Sequence, residues 1–139
     1  MKNQSASNQI RCPKVAAFAR LLLRLTVGAI FIQAGWFKLQ NPAMVQGMLS
    51  GMNFPLSEVF TWVLILTELV GGALLALGLW TKYATVPLMF VMAVAFFTVH
   101  LKDGLVATTW FVMLLFFALA VFYTSGAGDL SLDRKCLKQ

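Results

Sequence analysis

Residues 57–79 have the sequence SEVFTWVLILTELVGGALLALGL, an apolar run with one charge, Glu68, in its interior. About 20 mostly apolar residues in a helix cross a bilayer core about 30 Å thick. Backbone amides in lipid must be paired within the segment or in a closed barrel, and the run shows no period-two alternation typical of barrel strands. The run therefore predicts a transmembrane helix.

Three other stretches meet the same requirement, at about 15–38, 82–101 and 107–124. The last two connections are short, which makes consecutive helices antiparallel neighbours. Between the first two spans, Pro42 and Pro55 bound a segment at 40–54 that we expect to be a loop. The sequence thus predicts an all-α membrane protein, an antiparallel four-transmembrane-helix bundle over 15–124 with tails at 1–14 and 125–139.

The composition excludes most other classes of protein. The chain is 60% hydrophobic and 12% charged, whereas soluble domains carry about 25% charged residues. Two distant cysteines, Cys12 and Cys136, offer neither a disulfide framework nor a paired metal motif. The net charge of +6 comes from basic residues that flank apolar runs, so the expected partner is the lipid bilayer and not nucleic acid.

The distribution of basic residues predicts the orientation. With the N-terminus inside, nine of the eleven lysines and arginines lie in or beside the cytoplasmic half, leaving Lys38 and Lys102 outside. Both termini are therefore expected in the cytoplasm. A cleaved signal peptide is disfavoured because no pair of small residues at the required separation follows the first apolar stretch, Ala34 being preceded two positions earlier by Ile32.

Arg24 and Glu68 are the charged residues deepest inside the predicted spans, and a charge at mid-membrane is costly without a partner. Glu68 lies near the centre of the second span, and Arg24 lies about nine residues from the cytoplasmic end of the first. Because the helices are antiparallel, we predict a buried Arg24–Glu68 ion pair. Such a pair either fixes the helix register or forms a proton- or ligand-responsive site.

Small residues accompany these charges. At 100° per residue, Gly28 and Gly35 share the face of Arg24, and Gly71 and Gly72 lie beside Glu68. Small residues let membrane helices approach closely, so these four glycines are expected to pack helices together. Gln33 lies about 180° from Arg24 and is expected to face another helix or another subunit.

A second polar group is predicted at the outer rim, formed by Lys38, His100 and Asp103. Two interpretations stay open: snorkelling and hydrogen-bonded interfacial side chains, or a proton relay or quinone contact. A single histidine excludes bis-histidine haem ligation within one chain. No metal site is expected.

The ordered motifs resemble one known family. The run from Arg24 to Gly28, GWFKL at 35–39, FP at 54–55, ELVGG at 68–72 and GLWTK at 78–82 are similar to those of the DoxX family of small bacterial inner-membrane proteins, over about 21–124. The family's elements match Arg24, Gly35, Lys38, Pro55, Glu68, Gly71, Gly72, Gly78 and Thr81, with Lys82 where an arginine is common. The resemblance implies a four-helix bundle that spans the bacterial inner membrane several times. Some relatives are named as the membrane subunit of a thiosulfate:quinone oxidoreductase or as membrane partners of redox and thiol-handling proteins.

Two functional hypotheses follow. The first is a membrane subunit or partner of a quinone- or thiol/sulfur-linked redox system, with a soluble or membrane oxidoreductase as partner and quinone as the candidate ligand. The second is a non-catalytic scaffold or assembly factor whose ion pair is structural. Solute or ion transport is weaker, because four short helices would form a path only as a homo-oligomer. No P-loop, HExxH or Ser/His/Asp set is present, so no catalytic residue is assigned.

Overall fold

A computed structural model describes residues 13–97 and 107–125. This part of the chain forms five helices and no strand: α1 (Pro13–Gln40), α2 (Pro42–Gly51), α3 (Ser57–Leu77), α4 (Thr81–Ala95) and α5 (Ala107–Ser125). Among them, α1, α3 and α5 are long and apolar enough to cross a membrane, over Val15–Gln40, Ser57–Leu77 and Thr108–Ser125. The helix α4 is also apolar but shorter. The protein is therefore an α-helical membrane protein.

The expected spans and the observed helices differ at two places. The first, second and fourth predicted spans overlap α1, α3 and α5, whereas the third extends beyond Ala95 into residues outside the described ranges. The segment at 40–54, expected to be a loop, contains the helix α2. Asn41 is its N-cap and Pro42 its first residue, a position where proline is favoured because its missing N–H is not needed. None of the side chains of α2 is buried, so this helix lies on the surface, packed against α3.

Helices α1 and α3 pack in an antiparallel pair through glycines. A Cβ at Gly28 would lie 2.8 Å from the Cβ of Ala76 and 2.9 Å from the carbonyl oxygen of Gly72. Phe31 lies one turn after Gly28 in α1, and a Cβ added at Gly72 of α3 would lie 2.9 Å from the Cβ of Phe31. The two backbones thus touch where no side chain has room, which maximises van der Waals contact between membrane helices.

Gly35 continues the same contact. A Cβ there would lie 2.9 Å from the Cγ of Leu69 and 3.2 Å from the Cβ of Glu68. Gly71 points to the other side of α3, where a Cβ would lie 3.0 Å from the Cγ of Leu88 in α4. The four glycines therefore bring α1 and α4 against two sides of α3.

Apolar side chains of four helices form one core. It is built from buried residues of α1, α3, α4 and α5: Val27, Phe31, Leu75, Leu88, Val91, Met92, Val112, Leu115, Leu119 and Phe122. The remaining faces of these helices are largely exposed and apolar, as expected of surfaces solvated by lipid. The core holds α5 to the α3–α4 pair although α5 makes its closest backbone contacts with α4.

Glycine packing predicts the effect of adding a single methyl group. We expect Gly72→Ala to lower the free energy of unfolding by about 1–3 kcal/mol, because its Cβ would overlap Phe31 and the backbone of α1. Helical circular dichroism during SDS titration in mixed micelles measures this. The matched control is Gly47→Ala in α2, where a Cβ meets nothing within 4 Å and is expected to be neutral or stabilising. Equal effects of the two changes would contradict the packing described.

Candidate functional site: a buried ion pair and an apolar cleft

A buried ion pair joins α1 to α3. Glu68 is completely buried, and its Oε1 accepts a hydrogen bond from the Nζ of Lys38. The Lys38 side chain remains 28% exposed, so it reaches inward from the edge of the bundle. Gly35 makes this geometry possible, because it brings the backbone of α1 against Leu69 one turn before Lys38.

The partner of Glu68 differs from the one predicted. The sequence pairs it with Arg24, but the structure pairs it with Lys38 and places the Arg24 guanidinium against Gly78. Gly78 lies ten residues after Glu68, about 15 Å along the helix axis. The predicted Arg24–Glu68 pair is therefore wrong. The spacing of residues along a helix predicts the face on which each one lies. It does not predict how far α1 is shifted along α3, because close glycine contacts between the two helices fix this axial offset.

Arg24 lies instead at the C-terminal end of α3. Gly78 has φ +70° there, and its N–H donates to the carbonyl of Leu75 while the N–H of Leu79 donates to that of Leu74. This Schellman arrangement satisfies part of the carbonyl row that ends the helix. The cationic guanidinium at this end complements the negative end of the helix dipole. Arg24 is 97% buried, as the sequence predicts. Its guanidinium lies at the end of α3, against Gly78, and not beside Glu68.

The Lys38–Glu68 pair leaves one acceptor without a partner. The Glu68 Oε2 atom is buried and makes no hydrogen bond within the described ranges. A carboxylate oxygen in this state is costly in a medium without water. The pair is thus nearly neutral in charge but retains the capacity to accept one more hydrogen bond or a proton.

The predicted outer-rim group is only partly described. Lys38 forms the ion pair with Glu68, and its side chain is only partly exposed. His100 and Asp103 lie outside the described residues. In the part of the chain that is described, no group of three or more histidines, cysteines or acidic residues could hold a metal ion. Of the three residues predicted for this group, the structure describes Lys38, which it pairs with Glu68.

An apolar cleft lies between α2, α3 and α4, and its wall includes the residue that precedes Glu68. Its volume is about 360 Å³, and its lining includes the rings of Phe54, Phe60 and Phe90. Thr67 and Leu64 of α3 form part of the wall. In the sequence, Thr67 is one residue before Glu68, and Leu64 is one helical turn before it. The volume is within the range of about 300–1,000 Å³ typical of small-molecule sites. The sequence did not predict this cleft, because its wall depends on how α2 is placed.

A second cleft, of about 230 Å³, lies between α4 and α5 and is lined by apolar side chains alone, including Met92, Phe96 and Phe117. It has no charged group beside it among the residues described. Ring and thioether contacts can hold an acyl chain there but provide no group for proton transfer. The cleft between α2, α3 and α4 is therefore the candidate site.

Comparisons with known proteins agree with the motifs. The family model DoxX matches residues 19–101. The chain is similar to a protein of Haemophilus influenzae described as an uncharacterized protein, with 34% identity over 124 residues, covering 84% of this chain and 90% of the relative. No solved structure matches significantly. Because the family model covers more than half of the chain and includes both members of the buried ion pair, this membrane protein belongs to the DoxX family.

Proposed function

We propose that this protein is the membrane subunit or partner of a redox system and binds a lipid-soluble quinone in the cleft between α2, α3 and α4. The observation that supports the proposal best is an apolar cleft, lined in part by aromatic rings, whose wall includes Thr67, the residue before the buried Glu68. Phe60 and Phe90 offer flat apolar surfaces for a ring. Glu68, one residue beyond Thr67, has an oxygen without a partner in the described ranges.

The cleft suits a ligand that stays partly in the bilayer. Its rim includes Val63 and Phe90, which are 52% and 69% exposed, so an isoprenoid tail could remain among lipid chains while the ring occupies the cleft. Reduction of a quinone takes up electrons and protons together. In the proposal an oxidoreductase partner supplies the electrons, and the Lys38–Glu68 pair serves as the nearby proton-handling group.

A second candidate function is a non-catalytic scaffold or assembly factor. The observation that favours it is that the same ion pair joins α1 to α3 at a fixed register. Buried pairs serve in some proteins to specify one arrangement of helices without adding net stability. The two candidates differ in what the pair does once the helices are packed.

The proposal also includes the cellular arrangement. Four spans, with α4 extended through residues beyond Ala95, would bring both tails to the same side of the bacterial inner membrane. The excess of basic residues beside these tails favours the cytoplasm. Trp80 and Tyr83, which are 70% and 79% exposed, lie at the start of α4, where this orientation puts the inner interface.

Quinone binding gives the first test. We expect the purified protein in lipid nanodiscs to bind decylubiquinone saturably, measured by the absorbance difference on borohydride reduction against empty nanodiscs. Val63→Trp should weaken binding at least about fivefold, because Val63 lines the cleft and a larger ring fills it. Val70→Trp is the matched control on α3, since Val70 is 54% exposed and lies outside the cleft lining. No saturable binding by the parent chain would contradict the proposal.

The ion pair gives the second test. Lys38→Met should cost about 3 kcal/mol of unfolding free energy, because it strands the buried Glu68 carboxylate. Glu68→Gln should cost less, since the partly exposed lysine can turn its ammonium to the interface. Lys38→Met combined with Glu68→Gln should recover stability, measured by SDS titration. If the combined variant also keeps the decylubiquinone affinity of the parent chain, the scaffold is the correct interpretation.

Orientation gives the third test. A fluorescent protein fused after residue 139 should be fluorescent in a bacterial host, and alkaline phosphatase fused at the same point should be inactive, because the basic tails are retained inside. An exchange of these two results would place the C-terminus outside and contradict the proposed topology.

A further inference from the structure

The outward face of α1 carries a polar residue that the proposed function does not use. Helix α1 packs its Gly28 and Phe31 face against α3, and Gln33 lies on the opposite side, exposed. Within residues 13–97 and 107–125, the structure gives the Gln33 carboxamide no hydrogen bond. A primary amide has two donors and an acceptor to satisfy.

Gln33 lies deep in the membrane. Gly35, two residues further along α1, is in contact with Leu69, close to the middle of α3. The helix rise places Gln33 only about 3 Å from that level. Because the hydrocarbon region holds no water, an amide whose donors and acceptor stay unpaired at this depth is costly.

The residues around Gln33 form a regular stripe, called here the α1 outer stripe. Its members are spaced alternately by three and four residues and are all exposed: Ala19, Leu22, Thr26, Ala29, Gln33 and Trp36. Three of them are small, and the Thr26 hydroxyl is already satisfied by the carbonyl of Leu22 at 2.9 Å. This spacing is that of a left-handed helix pair crossing at about 20°, and small residues let the backbones approach.

We propose that α1 is the interface of a homodimer, in which two copies pack in parallel along the α1 outer stripe and the two Gln33 carboxamides hydrogen-bond across the two-fold axis. Two copies with the same orientation in one bilayer bring equal residues to equal depths. A carboxamide is self-complementary, since its N–H groups can donate to the side-chain carbonyl oxygen of Gln33 in the second copy, and the reverse.

A second copy fits this face better than other occupants. Lipid acyl chains cover apolar residues but offer nothing to Gln33. The α1 outer stripe carries no charge, so it provides no basis for recognising a charged helix. The inference is independent of quinone binding, because the interface and the cleft lie on different helices.

Cysteine crosslinking tests the geometry. In a background with Cys12→Ser and Cys136→Ser, Ala29→Cys should form a disulfide-linked dimer on mild oxidation in native membranes. The matched control is Val70→Cys on α3, which is exposed and lies at a similar depth but off the interface. Crosslinking at position 29 no stronger than at position 70 would overturn the proposal.

Energy transfer between labelled copies in liposomes tests the role of the amide. Gln33→Leu should weaken self-association about tenfold, whereas Gln33→Asn should stay close to the parent chain because it keeps the amide. Circular dichroism should show equal helicity in all three, since the position faces lipid in the monomer. Unchanged association of Gln33→Leu, a monomeric parent chain, or a subunit count above two would each overturn the proposal.

Discussion

Close contact between the backbones of α1 and α3 is the constraint on which the rest of the structure depends. In a bilayer the hydrophobic effect does not drive helices together, so association relies on packing and on a few polar contacts. Gly28, Gly35 and Gly72 remove the side chains that would hold the two axes apart. The same contact fixes the axial offset between the helices, and this offset brings Lys38 to Glu68. The position of α1 along α3 therefore determines both the close backbone packing and the Lys38–Glu68 ion pair.

The sequence predicts the faces of the helices better than their offsets. Helical phase puts Gly28, Gly35 and Glu68 towards the interior, and the structure places them there. Arg24 is also buried, but the offset moves it to Gly78. Counting depth from the ends of apolar runs carries an error of several residues, because α1 extends beyond the part that packs on α3. An error of that size is enough to exchange one basic partner for another.

Other features depend on tertiary placement that no local pattern contains. Asn41-Pro42 is a helix-start signal, so α2 could have been predicted, but its position over α3 could not. The cleft follows from that position, since Leu49 and Phe54 complete its wall. The partner of Glu68 and the cleft are thus both consequences of packing, whereas the class of protein and the family follow from composition and motifs.

The partial exposure of Lys38 has a consequence for how the chain is assembled in the membrane. An isolated α1 can insert with Lys38 extended to the interface, because the long side chain reaches water. An isolated α3 has no such option, since Glu68 lies near its centre and its side chain is short. The stable insertion of α3 is therefore coupled to its docking on α1, which makes α1 a template for α3. A chain in which this docking fails exposes a lone carboxyl group to lipid, which is costly near the middle of the bilayer.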